Sequence, residues 1–257
     1  NKLFILCHHF VLDYGTSLVI ALARPFFVVL CFGFVYNKGK EGERMEYSVV
    51  ICCAGMGERM KLGYNKLFLK LATGRSVIET TVSVFLNDPN CREIVLVTKE
   101  AELPLVKPLF SDERIVYAMG GSTRQESVYH GLQKVSYPNV LIHDGARPYL
   151  SQDCIDRLLK TLAQHEACLL MVPCKDTIKI VREGKVISTP PREEMMASQT
   201  PQAFHTQAIL ACHIQARQEG IQATDDASLY ERYGSEDVYA VEGDYANLKI
   251  TTPEDVR

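Results

Sequence analysis

Short apolar runs alternate with amphipathic stretches along residues 45–257, which is the pattern of an α/β domain. Runs typical of strands buried on both faces occupy residues 47–53, 94–98, 115–118, 140–143 and 169–172. Helical spacing is found at residues 77–86, 122–135, 153–165 and 207–218, and a further strand is predicted at 238–241. Ser122 or Thr123 is the expected cap of the second helix. This alternation predicts a mostly parallel sheet with helices on both faces.

Residues 173–201 break this alternation. Residues 177–182 and 185–188 alternate polar and apolar side chains around Glu183-Gly184, which is the signature of a β-hairpin. Pro190-Pro191 ends the second strand. Because an isolated hairpin buries little surface, we expect this segment, called the arm below, to be a flap over an active site or a dimerisation element.

Residues 1–44 form a separate problem. Between residues 17 and 36, 16 of 20 side chains are apolar, which is about the length that crosses a bilayer. Arg24 and Pro25 lie in the middle of this stretch and make insertion costly. As an anchor, the segment would keep the rest of the chain in the cytosol. We favour an extension foreign to the domain, because the chain does not begin with Met and Met45 immediately precedes the first predicted strand.

Charge and cysteine content narrow the function. Residues 45–257 carry 23 basic and 28 acidic side chains, a net charge of −5, so the domain lacks the basic surface of a general nucleic-acid binder. The nine cysteines include no CxxC pair, which argues against a zinc site and against a disulfide framework. We therefore expect free thiols in a reducing, cytoplasmic compartment.

The loops that follow the strands hold the candidate chemistry, since ligands of open α/β sheets bind beyond the carboxyl ends of the strands. The first loop reads AGMGERM (residues 54–60), where Gly55 and Gly57 let backbone amides approach an anion and Arg59 adds a charge. Together with Lys66, these residues suit a triphosphate. The sequence contains neither the third glycine of a dinucleotide fingerprint nor a GxxxxGK[ST] phosphate loop.

A second loop, Gly120-Gly121, leads into a helix start that carries Arg124 and Ser127. It is either a binding turn for a base or phosphate, or simply a turn with a helix cap. The third, HDGARP, begins at His143, which we interpret as structural.

Asp144, at the end of a strand, is suited to bind a divalent cation that bridges phosphates, or to pair with Arg147 in a structural ion pair. Two further segments hold charged and polar residues. Taken alone, these residues indicate only that the segments are exposed to solvent. They are Arg192 with residues 200–202, and residues 224–226 with residues 247–249.

The combination and order of these motifs resemble one family. AGMGERM, NKLFL, GGSTRQESV, HDGARP, KDTIK, QTPQAF, TDDAS and NLKITTPED occur in the order seen in the 2-C-methyl-D-erythritol 4-phosphate cytidylyltransferase family, across residues 45–257. Ribitol 5-phosphate cytidylyltransferases share many of these motifs and remain the alternative. HDGARP and TDDAS look more like the methylerythritol branch, which we favour.

The resemblance implies a Rossmann-like nucleotidyltransferase fold and a magnesium-dependent transfer of CMP from CTP to 2-C-methyl-D-erythritol 4-phosphate. It also implies a homodimer in which the arm reaches into the neighbouring subunit. The attacking phosphate is already an anion, so catalysis needs positioning and charge neutralisation rather than a general base. The alternative from another class is a nucleotide-binding regulatory protein, tethered to a membrane if residues 1–44 are an anchor; the retained cations argue against it.

The resemblance also assigns roles by position. Arg59 and Lys66 match the cations that stabilise charge on the phosphates, Asp144 matches the metal site, and Arg192 and Lys249 match the pair that positions the sugar phosphate. Substrate positions nearby are Arg147, Thr177, Thr200 and Asp225. CTP-binding positions are Ala54, Gly55, Gly57, Gly121, Ser122, Arg124, Ser127 and Gly145. Departures from the family pattern at Cys52-Cys53, Asn65 and Ser122 are expected to loosen nucleotide affinity without removing a required charge.

Overall fold

The computed structural model describes residues 6–11, 16–23, 27–34, 45–55 and 64–256, in two compact units, Asn1–Glu43 and Arg44–Arg257. The described residues of the first unit form an antiparallel sheet of β1 (Leu6–Val11), β2 (Thr16–Ala23) and β3 (Phe27–Phe34). Most of the apolar stretch at residues 17–36 therefore lies in β2 and β3. Among the described residues, no helix has the length and apolar character needed to cross a membrane.

The second unit contains the predicted alternation of strands and helices. In chain order its elements are β4 (Tyr47–Cys52), α1 (Val77–Leu86), β5 (Cys91–Thr98), α2 (Leu103–Val106), β6 (Ile115–Met119), α3 (Arg124–Leu132), β7 (Asn139–Asp144), α4 (Gln152–Leu162), β8 (Ala167–Pro173), β9 (Ile180–Arg182), β10 (Lys185–Ser188), β11 (Met196–His205), α5 (Thr206–Glu219), α6 (Asp226–Tyr233) and β12 (Tyr239–Glu242). Every strand and helix predicted for residues 45–257 is present; α1 and β10 have the predicted ends, and the ends of the others are shifted. Strand β11 and helices α2 and α6 were not predicted.

The described strands of this unit build a seven-stranded sheet in the order β12-β8-β11-β7-β4-β5-β6. The pairs β12·β8, β7·β4, β4·β5 and β5·β6 are parallel, whereas β11 runs antiparallel to both β7 and β8. The predicted mostly parallel sheet is confirmed. Strand β11 was not predicted because it includes Pro201 and several polar residues. Its register against β8 shifts between Ser198 and Gln202, and a proline is tolerated at such an irregularity.

Helices cover both faces of the sheet, as predicted. On β4, Val49 and Ile51 belong to the core cluster that includes α1 and α4, whereas Val50 belongs to the cluster that includes α3, α5 and α6. Successive side chains of a strand point to opposite faces, so a strand buried on both faces needs an uninterrupted apolar sequence. This requirement explains the run at residues 47–53.

The arm carries the predicted hairpin as a separate two-stranded sheet of β9 and β10. Glu183 and Gly184 have φ angles of 49° and 75°, the left-handed conformation that a tight two-residue hairpin turn requires. The first strand begins at Ile180 rather than at 177. Val181, Val186 and Ile187 are more than half exposed, so the hairpin presents apolar surface.

Candidate functional site

The carboxylate of Asp144 lies at the carboxyl end of β7, with only 11% of its side chain exposed. Three cations of the described residues surround it: Lys249 Nζ at 2.8 Å, Arg124 Nε at 3.4 Å and Arg147 Nε at 3.7 Å. Burial alone would raise the pKa of Asp144, but Arg124, Lys249 and Arg147 outweigh it and hold that pKa well below its usual range. The group is therefore a permanent anion inside a ring of positive charge.

The backbone around Asp144 is fixed by a buried hydrogen-bond chain. The Asp144 N–H donates to Thr200 Oγ1 at 3.0 Å, and Thr200 Oγ1 lies 3.1 Å from His143 Nδ1. His143 Nε2 lies 3.1 Å from the Arg147 carbonyl, to which it must donate because a carbonyl only accepts. Burial lowers the pKa of His143 to about 4, so the ring is neutral near pH 7. The structure thus gives His143 a supporting position and brings Thr200 to the centre of the site.

Two lysines that are far apart in the sequence meet at the segment that follows β12. Lys249 lies in the segment after β12, and Lys66 Nζ donates to the carbonyl of the adjacent Ile250 at 2.6 Å. Arg147 Nη1 donates to the carbonyl of Asn247 at 2.7 Å. The segment around Lys249 therefore connects three of the predicted cationic side chains.

The same segment is tied to β11. Gln199 Nε2 donates to the carbonyl of Asp244 at 2.8 Å, and Asn247 Nδ2 donates to that of Thr200 at 2.8 Å. A Cβ at Gly243 would lie 2.5 Å from Gln199 Oε1, so a larger residue there would displace the Gln199 amide. The strand missed by sequence reasoning thus supports the backbone that carries Lys249.

Asn65, one of the departures from the family pattern, anchors the turn that carries Lys66. Its Oδ1 accepts from the Leu67 N–H at 3.1 Å, and its Nδ2 donates to the Cys53 carbonyl at 3.0 Å and to Glu102 Oε2 at 2.9 Å. The amide is buried and uses both of its polar atoms. A loss of nucleotide affinity caused by this departure stays a prediction.

Among the described residues, Gly145 is the predicted CTP-binding glycine that stands at a close approach of backbone, and Gly120, which was not assigned to CTP, stands at a second close contact. A Cβ at Gly120 would lie 2.5 Å from the Ala54 Cβ, so the turns after β4 and β6 touch. The Gly145 N–H donates to the Cys52 carbonyl at 3.1 Å, and a Cβ there would lie 2.9 Å from that oxygen. Gly55 follows Ala54 and is exposed. Gly57 and Arg59, both predicted site residues, lie outside the described residues.

The turn before α3 is held by its own side chains. Ser127 Oγ accepts from the Gly121 N–H at 3.0 Å and donates to the Thr123 carbonyl at 2.8 Å. Ser122 donates to Glu126 Oε2 through its backbone and its hydroxyl, at 2.7 and 2.8 Å. Thr123, rather than Ser122, caps the helix. The turn is therefore preorganised next to Ala54.

Arg124, the first residue of α3, contacts a residue that sequence reasoning had not selected. Its Nη1 lies 2.8 Å from Asp226 Oδ2, which is shorter than its contact with Asp144. Burial works against the charge on Arg124, but Asp226 outweighs it and raises the pKa of the guanidinium. Asp225, the predicted substrate residue, instead caps α6 by accepting from the Ser228 N–H at 3.0 Å, and it accepts from Gln202 Nε2 at 2.7 Å.

Helix-capping rules could have shown from the sequence that the two aspartates of TDDAS have different roles. Asp225 and Ser228 stand three residues apart and form a capping box, so the carboxylate of Asp225 is occupied at the helix start. The next residue, Asp226, is free to pair with a cation. Sequence reasoning missed this because α6 itself was not predicted.

Arg192 and Thr177 meet each other on the arm rather than at Asp144. Arg192 Nη2 donates to Thr177 Oγ1 at 2.8 Å, and both residues are exposed. Within the described part of the chain, neither is an ion-pair or hydrogen-bond partner of Asp144. An open cleft of about 440 Å³ lies between the base of the arm and the Lys249 segment, lined by residues that include Lys175, Ile178, Arg147 and Lys249.

Positive charge converging on the carboxyl ends of strands suits an anionic substrate with several phosphates. The described residues hold no cluster of three or more His, Cys, Asp or Glu side chains for a metal ion. Asp144 is the carboxylate that the three cations surround, and Mg²⁺ is commonly held by one or two carboxylates together with substrate phosphates. The donor set fits that kind of ion better than a protein-caged metal.

Comparisons with known proteins agree on one family. A family model described as "IspD: 2-C-methyl-D-erythritol 4-phosphate cytidylyltransferase" matches residues 47–257. Relatives named 2-C-methyl-D-erythritol 4-phosphate cytidylyltransferase include one from Halalkalibacterium halodurans, 46% identical over 82% of this chain and 94% of the relative, and one from Bacillus velezensis, 43% identical over 82% and 93%.

Solved structures give the same result for the fold. The crystal structure of 4-diphosphocytidyl-2C-methyl-D-erythritol synthase from Anaerococcus prevotii matches with a TM-score of 0.75 at 32% identity, over 82% of this chain and 93% of that one. That of 2-C-methyl-D-erythritol 4-phosphate cytidylyltransferase from Thermus thermophilus matches with a TM-score of 0.68 at 32% identity, over 82% and 96%.

The buried neutral His143 predicts a pH dependence of stability. Its pKa falls from the ordinary 6.5 to about 4 in the folded chain, so between these values the unfolded chain binds the additional proton. The stabilisation is complete above pH 6.5 and is lost as the pH falls towards 4. In His143→Gln, we expect the unfolding free energy to depend less on pH in this window, by up to about 1.4 kcal/mol per pH unit. Urea unfolding at several pH values measures this, and an unchanged slope would contradict it.

Proposed function

The chain belongs to the 2-C-methyl-D-erythritol 4-phosphate cytidylyltransferase family, and from that membership we infer its reaction. It is a nucleotidyltransferase that transfers CMP from CTP to 2-C-methyl-D-erythritol 4-phosphate, giving 4-CDP-2-C-methyl-D-erythritol and diphosphate in isoprenoid biosynthesis. The observation that carries this inference is the match of residues 47–257 to the family model, over the region that holds the cations around Asp144. Residues 45–257 are the proposed catalytic domain.

The proposed mechanism rests on charge. The phosphate of the substrate is already a nucleophilic anion, and the difficulty is to bring it onto the α-phosphorus of another polyanion. We assign Lys66 and Arg59 to the phosphates of CTP, where charge increases in the transition state. The contact of Lys66 with Ile250, next to Lys249, supports a joint action of the two lysines at one reaction centre.

The proposed nucleotide pocket is formed by the turns after β4, β6 and β7. Their close approaches at Gly120 and Gly145 support a narrow cleft between these turns. The residues assigned to CTP are Ala54, Gly55, Gly57, Gly121, Ser122, Arg124, Ser127 and Gly145.

Mg²⁺ is the proposed cofactor, with Asp144 as the protein ligand. A single carboxylate matches the way Mg²⁺ is held between protein and phosphates. When bound, the ion would offset the negative charge of the phosphates. Lys249 and Arg147 would then be released from Asp144 towards the anionic substrates.

The sugar phosphate is assigned to the cleft that Arg147 and Lys249 line. Thr200 of β11 and Asp225, which accepts from Gln202 of β11, are assigned to the same substrate. Arg192 and Thr177, the remaining assigned residues, lie on the exposed arm. We propose a homodimer in which the arm of one subunit reaches the cleft of its neighbour and brings this pair to the substrate. The exposed apolar side chains of β9 and β10 support such a contact.

A cytoplasmic location is proposed as well. Seven cysteines are free thiols among the described residues. Free thiols are typical of a reducing compartment.

The function is tested by incubating the full chain with CTP, Mg²⁺ and either 2-C-methyl-D-erythritol 4-phosphate or ribitol 5-phosphate, and measuring diphosphate release. We expect release with the methylerythritol substrate and at most a few per cent of that rate with ribitol phosphate. Preference for ribitol phosphate would favour the related branch, and CTP binding without release from either substrate would favour a regulatory protein.

Two lysine variants control this assay. Lys66→Ala is expected to lower turnover at least about 100-fold, the scale of losing one preorganised charge contact. Lys70→Ala, four positions away, removes an exposed lysine paired with Glu79 and is expected to leave turnover within about twofold. Comparable rates in the two variants would contradict the role of Lys66.

The dimer is tested by deleting residues 178–188. We expect the wild-type chain to sediment as a dimer and the deletion variant as a monomer, because the deletion removes the exposed apolar hairpin. Val186→Glu should weaken the dimer in the same direction, whereas Lys185→Ala, which removes no such surface, should not. A deletion variant that stays dimeric in analytical ultracentrifugation would refute the arm.

A further inference from the structure

A fully buried carboxylate lies behind the proposed nucleotide site. Asp226 begins α6, and its side chain is 1% exposed. Its Oδ2 lies 2.8 Å from Arg124 Nη1, and its Oδ1 lies 3.2 Å from Nε2 of His213, a completely buried residue of α5. Three helices, α3, α5 and α6, thus meet through one carboxylate.

Stability alone is a poor explanation for this arrangement. Removing a carboxylate from water costs several kcal/mol, and replacing a buried ion pair by packed apolar side chains is often neutral or stabilising. His213 Nδ1 adds to the cost, since it is buried without a hydrogen-bond partner among the described residues. The helix start favours a negative charge at this position but does not require the partner to be Arg124.

The contacts of Arg124 indicate a role for the Asp226 carboxylate. The guanidinium faces two acidic groups through different nitrogens, Nη1 towards Asp226 and Nε towards Asp144, and the contact with Asp226 is the shorter, 2.8 against 3.4 Å. Asp144 in turn has its shortest contact, 2.8 Å, with Lys249. The two carboxylates therefore share the cations, with Arg124 paired mainly to Asp226.

We propose that Asp226, oriented by His213, is a positioning residue that holds Arg124 in the nucleotide site and keeps it from closing onto Asp144. Without Asp226, the fork of Arg124 would be free to form a two-point pair with Asp144, the preferred geometry of arginine and carboxylate. That pairing would withdraw a cation from CTP and occupy the carboxylate proposed for the metal. The inference rests on the proposed function, because the CTP role of Arg124 is part of it.

The test compares direct CTP binding, by titration calorimetry, in the wild-type chain and in Asp226→Asn, which keeps the shape and removes the charge. We expect CTP to bind at least about tenfold more weakly, the scale of one misplaced charge contact in the site. The KM for the sugar phosphate should change less than about threefold. An unchanged CTP affinity, or a loss in kcat with both KM values kept, would overturn the proposal.

Glu93→Gln is the matched control. Glu93 is also a buried carboxylate, but it accepts from Ser48 and Ser136 near the opposite ends of the strands. We expect this variant to lower the unfolding temperature and leave CTP affinity unchanged. An equal loss of CTP affinity in both variants would mean that Asp226 acts through general stability, and would overturn the proposal.

A double-mutant cycle tests whether Asp226 acts through Arg124. On an Arg124→Ala background, Asp226→Asn should change CTP affinity by less than about twofold, because the group that it positions is absent. Full additivity would contradict the positioning role. CTP binding is measured without the second substrate, so failure of the wild-type chain to use methylerythritol phosphate would refute the proposed reaction without affecting this comparison.

His213 provides a second route if Asp226→Asn does not fold. His213→Gln keeps an N–H donor for Asp226, whereas His213→Phe removes it and fills a similar volume. We expect the Phe variant to weaken CTP binding and the Gln variant to restore most of it. Equal affinities in the two variants would overturn the role of His213 and with it the proposal.

Discussion

The positive side chains of this site repel one another, and the buried carboxylate of Asp144 offsets that repulsion while no substrate is bound. Lys249, Arg124 and Arg147 approach it within 2.8 to 3.7 Å among the described residues. In a partly buried environment such attractions exceed those between surface charges. Asp144 therefore acts as the resting counter-ion of cations that also have other contacts within the protein. In the proposed mechanism, the phosphates of CTP would compete with Asp144 for the same cations, and the site would be electrostatically preorganised for the reaction.

The fold serves this arrangement through backbone contacts between distant segments. The Lys249 segment is bonded to Arg147, to Lys66 and, through Asn247, to β11. The neutral His143 completes the support, because its two ring nitrogens connect Thr200 with the Arg147 carbonyl. Because these contacts already fix the charged side chains, little reorganisation of the cluster would be needed during the proposed reaction.

Sequence patterns predicted what depends on local rules. Strands buried on both faces need continuous apolar runs, so β4, β5, β7 and β8 could be recognised in the sequence. The hairpin could be predicted from the turn residues Glu183-Gly184. Strand β11 was missed because its pairing is set by the neighbouring strands, while its own sequence contains a proline and polar residues. Helix α6 was missed because eight residues rich in charge give little periodic signal.

The site was predictable as far as strand ends determine it. Asp144, Arg147 and Lys249 come together as expected, because the segments that carry them meet at one edge of the sheet. The pairing of Arg124 with Asp226 was not foreseeable, since it depends on how α3 and α6 pack. Thr177 and Arg192 form a pair on the arm, and the proposed homodimer would bring this pair to the cleft of a neighbouring subunit.

The affinity for CTP without metal is the most direct test of the view that Asp144 is the resting counter-ion of the site. Calorimetric titration in the presence of a chelator should compare the wild-type chain with Asp144→Asn. We expect the variant to bind metal-free CTP at least about fivefold more tightly, because removal of the competing anion leaves the cations free for the triphosphate. Weaker binding by the variant would contradict the account.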